Sequence, residues 1–377
     1  MTLPRRVLVG EGTAEPTAGL QLALTRFAPD PVQFLFGVRR TSEGLAAIDQ
    51  EGVTIATSFP GRGLSRPDRP LQACALSAYQ TQRLLASGRL RADALVVVAT
   101  LPGHDGTRSL GTVNGYMQAA VDAARFLVIE EAADLPVIPG AAAIPAHAPA
   151  QVIGHVPAPY RALSRAPDDV DAACAQQASR LVDHGVCVQL GVGGAIEAMG
   201  TALAARRGLQ VITGAVGAAV QALHRQGCLR QGIDVLGSAL VGDAGVVEWA
   251  RASGRVRLAP SSLVHNPAWL ARHERFHAIN AVHSVDLDGN ANAEWAGERR
   301  VSGRGGASDF ARGAIRSPGG ASIVLLRADR PGCLVSRLSR PSIPARHVSF
   351  VVCERGVADL RGRLPGERAA LIEKLLA

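Results

Sequence analysis

The chain of 377 residues lacks the features that mark membrane and secreted proteins. No apolar run approaches the roughly 18 residues that a membrane-spanning helix needs. The first residues, MTLPRRVLVGEGTAEP, contain no long apolar stretch of the kind found in a signal peptide. The six cysteines are widely spaced and include no CxxC pair, which is typical of reduced core residues. We therefore expect a cytoplasmic protein with no membrane segment and no disulfide bond.

Lysine and aromatic residues are scarce. Of the 40 basic residues only Lys374 is lysine, although the formal net charge is +8. The arginines are scattered, with no run of five basic residues and no basic patch interleaved with aromatic residues. We therefore expect no nucleic-acid partner, because a phosphate-bearing small ligand suits this charge equally well.

The residues that are present indicate a globular α/β protein. Hydrophobic residues make up 47% of the chain and charged residues 19%. Apolar strand-like runs alternate with helical segments, and the continuous run from Ala94 to Thr100 is typical of a parallel strand covered on both faces. At about 150 residues per domain, the length predicts two domains. We predict two similar, open, mostly parallel α/β domains, residues 1–165 and 166–377, with a crossing in the Pro- and Ala-rich segment 141–167.

Each predicted domain opens with a strand, a Gly-rich turn and a helix, so two facing domains would form a cleft lined by Gly-rich loops. In the second domain Gly191, Gly193 and Gly194 precede a helix whose free N–H groups suit an anion. A tight turn without a ligand is the alternative. A nicotinamide dinucleotide is not predicted, because Ile196 replaces the third glycine of that fingerprint and no acidic residue ends the next strand.

A second Gly-rich turn, SGRGGASDF, spans Ser302 to Phe310. Gly303, Gly305 and Gly306 would let a ligand approach the backbone closely, and Asp309 could cap the helix that follows. The preceding His273–His277 segment matches HExxH, a zinc motif when both histidines lie on one helix. Phe276 onwards reads as a strand, which separates the two rings, so we expect no metal.

Residues Ala278 to Leu287 read as one half-buried strand that ends in a turn at DGN. Ser284 and Asp286 share a face of this strand, whereas the neighbouring His283 points to the other face and cannot serve as the base of Ser284. Glu354 stands at the exit of the apolar strand His347–Cys353, before Gly356. That position suits a residue lining a cleft, and capping of a following helix is the alternative.

These motifs, taken in order, resemble the acetyl-CoA hydrolase/transferase family, which includes the 4-hydroxybutyrate CoA-transferases. The likeness covers most of the chain. It rests on GEGTAEP, PGHDGTRSLG, FLVIEEAADLP, VQLGVGGAIEAM, HNPAWLARHERFHAIN, the strand AINAVHSVDLDGNANAEWAG, VSGRGGASDFARGAIRSPGGASIVLL and VVCERGVADLRGRLPGERAALI.

The resemblance implies an active site between two open α/β domains, acyl-CoA as the substrate, and a homodimer. In this family a strand glutamate attacks the thioester and passes through an acyl-glutamyl anhydride and a glutamyl-CoA thioester to a second carboxylate. The Gly193–Gly194 and Gly305–Gly306 turns would stabilise oxyanions and seat the CoA chain. Glu354 matches the family's other active-site glutamate.

The chain departs from the family at the nucleophile, because Ser284 stands where the resemblance expects glutamate. A serine hydroxyl cannot form the anhydride. The first hypothesis is therefore another acyl-CoA reaction, such as hydrolysis, acyl transfer or decarboxylation, with Ser284 positioning substrate or water. A non-catalytic binding subunit is the second hypothesis, and a transferase that uses Glu294 or Glu354 instead is the third.

The expected site comprises three catalytic candidates and nine residues for CoA or substrate. The catalytic candidates are Ser284, Glu354 and Asp286. The binding candidates are Gly191, Gly193, Gly194, Asn280, Gly303, Gly305, Gly306, Asp309 and Gly356. The expected partners are acyl-CoA and an acyl or CoA acceptor.

Overall fold

The structure, a computed structural model, describes residues 3–61, 64, 71–232 and 235–376. Two compact units make up the chain. The first contains residues 1–161, 238–252 and 257–262, and the second contains 162–237, 253–256 and 263–377. The division into domains at residues 165 and 166 stays a prediction.

Strands and helices alternate along both units. The strands are β1 Arg5–Val9, β2 Val32–Phe36, β3 Val53–Thr57, β4 Gln72–Ala73, β5 Ala94–Ala99, β6 Arg108–Ser109, β7 Leu127–Glu131, β8 Ala143–Ile144, β9 Ala150–Gly154, β10 Cys187–Leu190, β11 Gln210–Val216, β12 Val235–Leu240, β13 Val256–Leu258, β14 Phe276–Ala281, β15 Ser284–Asp286, β16 Ala291–Asn292, β17 Trp295–Ala296, β18 Arg299–Arg300, β19 Ala321–Leu325, β20 Leu334–Val335, β21 Phe350–Cys353 and β22 Gly356–Asp359. The helices are α1 Ala18–Phe27, α2 Ala78–Ala86, α3 Met117–Ala123, α4 Asp169–Ser179, α5 Gly194–Ala202, α6 Ala218–Arg225, α7 Ala244–Ser253, α8 Ser261–Val264, α9 Pro267–Leu270, α10 Ala307–Ala314 and α11 Pro365–Leu376.

The first unit contains a seven-stranded sheet with the order β4-β3-β2-β1-β5-β7-β9, and the pairs for which register is defined are parallel. Side chains of β5 alternate between two cores: Ala94 and Val96 pack with α1, whereas Leu95 and Val97 pack with α3. Every residue of this strand is buried. The continuous apolar run is therefore explained by apolar layers on both faces, as predicted.

The second sheet has eight strands in the order β13-β12-β11-β10-β14-β19-β21-β22. Strands β10, β14, β19 and β21 run parallel, and only the last pair, β21 with β22, is antiparallel among the registered pairs. The prediction of an α/β protein built from mostly parallel sheets is confirmed. No helix in the described ranges has the length and apolarity needed to cross a membrane.

Two segments differ from the predicted elements. The predicted single strand from Ala278 to Leu287 was wrong, because β14 ends at Ala281 and β15 begins at Ser284 in a different, three-stranded sheet, β16-β15-β20. After Ala281 the chain leaves β19 and pairs with β16 and β20, so the apolar run is divided between two sheets. Within the segment 141–167, of which a part was predicted as the crossing, Ala150–Gly154 form the unpredicted strand β9, which extends the first sheet beside β7.

Candidate active site

The carboxyl ends of four neighbouring parallel strands of the second unit converge at one edge of the sheet. Strand β10 leads into Gly191, β14 into Val282, β19 into Leu326 and β21 into Glu354. Adjacent strands lie about 4.8 Å apart, so this edge brings the four loops into one neighbourhood. The carboxyl edge of such a sheet is where α/β proteins bind ligands.

Glycine is required at positions 191 and 194 because neighbouring atoms leave no room for a side chain. A Cβ atom on Gly191 would lie 2.9 Å from Asn280 Oδ1, and one on Gly194 would lie 2.2 Å from Asp171 Oδ2. Gly193 has φ of 126° and its N–H donates to Ser164 Oγ at 2.9 Å, just before α5 begins. The loop is therefore rigidly placed at a helix N-terminus.

Asn280 is buried and paired with Gln189 on the adjacent strand. Its Nδ2 donates to Gln189 Oε1 at 3.0 Å, and Gln189 Nε2 donates back to Asn280 Oδ1 at 3.2 Å. The pair locks β10 to β14 directly below Gly191, whose N–H donates to the Ile279 carbonyl at 2.9 Å. Asn280 thus supports the loop geometry.

The second Gly-rich turn precedes α10, whose first turn contains Asp309. Gly303 is buried and Gly305 has φ of 52°, which favours glycine. Gly306 packs on the buried His265 ring, since a Cβ there would lie 2.3 Å from His265 Nδ1. His265 also contacts Phe310 of α10, with ring centroids 4.7 Å apart, and burial lowers its pKa to about 4.

Ser284 is buried at the start of β15, opposite Asn292 in the antiparallel pair with β16. Asn292 Nδ2 donates to Ser284 Oγ at 3.0 Å and to the Trp295 carbonyl at 2.7 Å. Because the hydroxyl oxygen serves as the acceptor here, its own O–H remains a donor toward a ligand. Burial and then the charge of Arg330 lower the pKa of the neighbouring His283.

Asp286 is fully buried, and its contacts are those of a structural carboxylate. Its Oδ1 accepts from the N–H groups of Asp288 at 3.1 Å and Asn290 at 2.9 Å, and its Oδ2 accepts from the Leu338 N–H at 3.0 Å. The side chain of Asn290 donates to both oxygens. Asp286 therefore shapes the turn after β15, and its contacts leave no oxygen free for chemistry.

Glu354 occupies the two-residue turn between β21 and β22, where Cys353 pairs with Gly356. Its Oε2 accepts from the Ala328 N–H at 3.1 Å and from the Cys174 thiol at 3.6 Å. No other residue in the described ranges donates to its carboxylate, so Oε1 is available. The alternative of a helix cap was wrong, because strand β22 follows and no helix begins there.

Glu294, the other carboxylate considered as a nucleophile, is buried and ion-paired. Its Oε2 lies 2.7 Å from Arg300 NH2, and its Oε1 lies 3.6 Å from Arg304 Nε. Both oxygens therefore face guanidinium groups.

The HExxH match has no helical geometry. Helix α9 ends at Leu270, His273 and Glu274 lie in the turn that follows, and His277 lies on β14. In the part of the chain that the structure describes, no group of three or more His, Cys, Asp or Glu side chains could hold a metal ion.

Sequence reasoning missed the residues that hold these groups. They are Cys174, Ala328, Gln189 and Asn292. Asn292 could have been found, because a tight turn at Asp288–Asn290 folds the residues after it back against Ser284. Cys174 lies more than a hundred residues from its partner, and no local pattern marks that contact.

Comparisons with known proteins find similar sequences and similar folds. Residues 242–376 match the family model of the acetyl-CoA hydrolase/transferase C-terminal domain. The 4-hydroxybutyrate coenzyme A transferase of Clostridium kluyveri is 26% identical over 307 residues, which cover 77% of this chain and 71% of that protein. Alignments with three further CoA-transferases span 49%, 51% and 49% of those proteins.

Solved structures share the fold. RipA from Yersinia pestis superposes with a TM-score of 0.84 at 22% identity, covering 100% of this chain and 92% of that one. A 4-hydroxybutyrate CoA-transferase from Porphyromonas gingivalis superposes with a TM-score of 0.78 at 22% identity, covering 99% and 90%.

The topology and these likenesses define an α/β protein with the CoA-transferase fold. The chain is similar to members of the acetyl-CoA hydrolase/transferase family, and its residues 242–376 match the C-terminal domain of that family.

Proposed function

We propose that this protein processes acyl-CoA thioesters without a glutamyl-CoA intermediate, with Glu354 as the general base that activates water or another acceptor. Support comes from the family, which contains both hydrolases and transferases, and from Ser284 at the position that the resemblance assigns to the nucleophilic glutamate. The relatives are named for acyl-CoA substrates and carboxylate acceptors. We assign such substrates to this protein as part of the proposal.

One observation carries the proposal. At the carboxyl edge of the second sheet, Glu354 has one oxygen held by Ala328 and Cys174 while Oε1 receives no hydrogen bond from the described residues. A general base needs this combination of fixed position and accessible lone pair. Glu294 does not have it, because two guanidinium groups face its oxygens.

For hydrolysis, Glu354 takes a proton from water while the water oxygen bonds to the thioester carbon. The C–S bond then breaks, the proton on Glu354 passes to the CoA sulfur, and the acid and free CoA leave. The Ser284 O–H would hold the water or the acyl group. The backbone N–H groups of Gly194 and of the Gly305–Gly306 turn would bind the developing oxyanion and the CoA chain, whereas the Gly193 N–H is held by Ser164. The same base would deprotonate a hydroxyl or amine acceptor in acyl transfer.

The proposal extends to assembly and location. The homodimer follows from the family resemblance, and a reducing cytoplasmic location is supported by the six free cysteines. Light scattering coupled to size-exclusion chromatography measures the oligomeric state directly.

The test is multiple-turnover release of CoA from a panel of acyl-CoA thioesters, with and without a carboxylate acceptor. We expect release without a carboxylate acceptor, and we expect Glu354→Gln to lower kcat by about 10²- to 10⁴-fold. Glutamine keeps the acceptor oxygen for Ala328 and Cys174 but cannot act as a base. Glu373→Gln, the same change at an exposed position of α11, is the matched control and should retain full activity.

Three outcomes would overturn the proposal. Equal rates of CoA release for Glu354→Gln and the unaltered protein would show that Glu354 is not the base. A hydroxylamine-sensitive acyl or CoA adduct on a glutamate, found by mass spectrometry, would establish a carboxylate nucleophile instead. If the protein neither turns over acyl-CoA nor binds CoA in calorimetry, the hypothesis of a non-catalytic partner protein would replace this proposal.

A further inference from the structure

One face of α4 reaches the residues that hold Glu354. Asp171 and Cys174 stand three residues apart and therefore lie on the same side of the helix. Both side chains are almost completely buried. Asp171 binds the segment that follows β19, and Cys174 binds Glu354 itself. Helix α4 thus contacts the candidate base directly and also through its neighbours.

The proton of Cys174 has two acceptors. Its Sγ lies 3.6 Å from Glu354 Oε2 and 3.5 Å from the Leu326 carbonyl oxygen. A thiol carries one proton, so it can donate to only one of them at a time. An ionised Glu354 is the stronger acceptor, whereas a protonated Glu354 leaves the proton to Leu326. Burial, followed by the charge of Glu354, raises the pKa of this thiol, so it remains a donor at neutral pH.

The second donor to Glu354 is fixed by an ion cluster. Arg327 NH1 lies 2.6 Å from Asp168 Oδ2 and 3.3 Å from Asp171 Oδ1, and Arg327 NH2 lies 2.6 Å from Asp329 Oδ2. Asp168 and Asp171 also form the capping box that begins α4. Ala328 is the residue between Arg327 and Asp329, so the cluster immobilises the N–H that binds Glu354 Oε2.

We propose that Cys174 is a positioning residue for Glu354: it donates its thiol proton to the carboxylate and orients the free oxygen. This inference rests on the proposed function of Glu354 as a base. Cys174 is a donor only and forms no bond to substrate.

Other charges face the same pair and would act on it in every variant. They are the charged side chains Asp171 on α4, Arg327 and Asp329 after β19, and Arg355 on the β21–β22 hairpin, together with the neutral thiol of Cys353. Because a change at Cys174 leaves all of these in place, the effect of the thiol can be isolated.

The activity test compares Cys174→Ala, Cys174→Ser and the matched control Cys228→Ala. Cys228 is equally buried, but its thiol bonds to the carbonyls of Leu203 and Ala204. We expect Cys174→Ala to lower kcat by about threefold to tenfold with KM unchanged, because Glu354 Oε2 loses one of its two donors and Oε1 is held less firmly. Cys174→Ser should restore kcat because the hydroxyl is also a donor, and Cys228→Ala should leave kcat unchanged.

An infrared readout needs no activity. The S–H stretching band of Cys174 is obtained by subtracting the spectrum of Cys174→Ala. We expect this band to shift when Glu354→Gln is introduced, whereas the Cys228 band should not. An unmoved Cys174 band, or a kcat of Cys174→Ala equal to that of Cys228→Ala, overturns the inference. Absence of CoA release from the unaltered protein, with the band shift present, overturns only the proposed function.

Discussion

At the scale of single residues, three carboxylates of the second unit differ in what their surroundings allow. Asp286 is surrounded by N–H donors and shapes a turn, and Glu294 is neutralised by two arginines. Glu354 has one oxygen held and one available. Glu354 is therefore chosen as the candidate base because one of its oxygens accepts no hydrogen bond from the described residues, and burial alone would not have singled it out.

His265 provides a pH-dependent prediction at this scale. Burial lowers its pKa to about 4, against about 6.5 in the unfolded chain. Between these values the unfolded state binds a proton that the folded state does not, so stability falls as pH drops below about 6.5. By pH 5 the loss should reach about 2 kcal/mol, with about 3 kcal/mol lost by pH 4.

The measurement is the urea-unfolding free energy at pH 7.5 and pH 5. We expect His265→Gln to lose less stability than the unaltered protein over this interval by about 2 kcal/mol. His147→Gln changes an exposed histidine and serves as the control. Equal losses in His265→Gln and the unaltered protein would contradict the prediction, since the other histidines with lowered pKa remain in both.

At the scale of elements, the junction between α4 and α5 explains why Gly194 is glycine. A Cβ there would lie 2.2 Å from Asp171 Oδ2. Asp171 cannot turn away without losing Arg165 at 2.6 Å and Arg327 at 3.3 Å. The start of α5 is therefore packed against the ion cluster that fixes Ala328.

Gly194→Ala should consequently destabilise the protein by about 1–3 kcal/mol and lower kcat through the disturbed Asp171–Arg327 contact. Gly366→Ala is the same substitution in α11, where an added Cβ meets nothing within 4 Å. That control should be neutral or stabilising by up to about 1 kcal/mol. Thermal unfolding of both variants provides the comparison. A melting temperature for Gly194→Ala at or above that of the unaltered protein would contradict the packing account.

Strands and helices could be predicted from the sequence where a local pattern alone determines the structure. The apolar run of β5 and the strand–glycine–helix unit around Gly191 follow from covered parallel strands and from helix N-termini. The break between β14 and β15 was not predictable, because Val282 and His283 continue the same apolar alternation while the pairing partner changes. Choice of partner strand is a property of the tertiary fold and leaves no mark on the alternation.

At the scale of the whole molecule, the fold class and the positions of Gly194 and Glu354 at strand ends could be predicted from motif order. The hydrogen bonds and ion pairs that distinguish Asp286, Glu294 and Glu354 could not be predicted in this way. The contact from Cys174 to Glu354 spans 180 residues of sequence, and the pair from Gln189 to Asn280 spans 91. Such contacts depend on which strands become neighbours, so a linear pattern identifies candidate groups without their partners.

Ser284→Glu tests how the whole protein relates to the CoA-transferases that it resembles. If Ser284 occupies the nucleophile position, the new carboxylate should attack an acyl-CoA, and CoA transfer to acetate should appear with ping-pong kinetics and a glutamyl-CoA adduct in mass spectra. Ser284 is buried against Asn292, so the longer side chain should cost about 1–3 kcal/mol in stability. Ser284→Gln has the same size without a carboxylate and should show neither transfer nor adduct. A folded Ser284→Glu protein that binds CoA in calorimetry but transfers none would mean that position 284 does not reach the thioester. Ser284 would then not be a reason to propose a reaction that differs from that of the relatives.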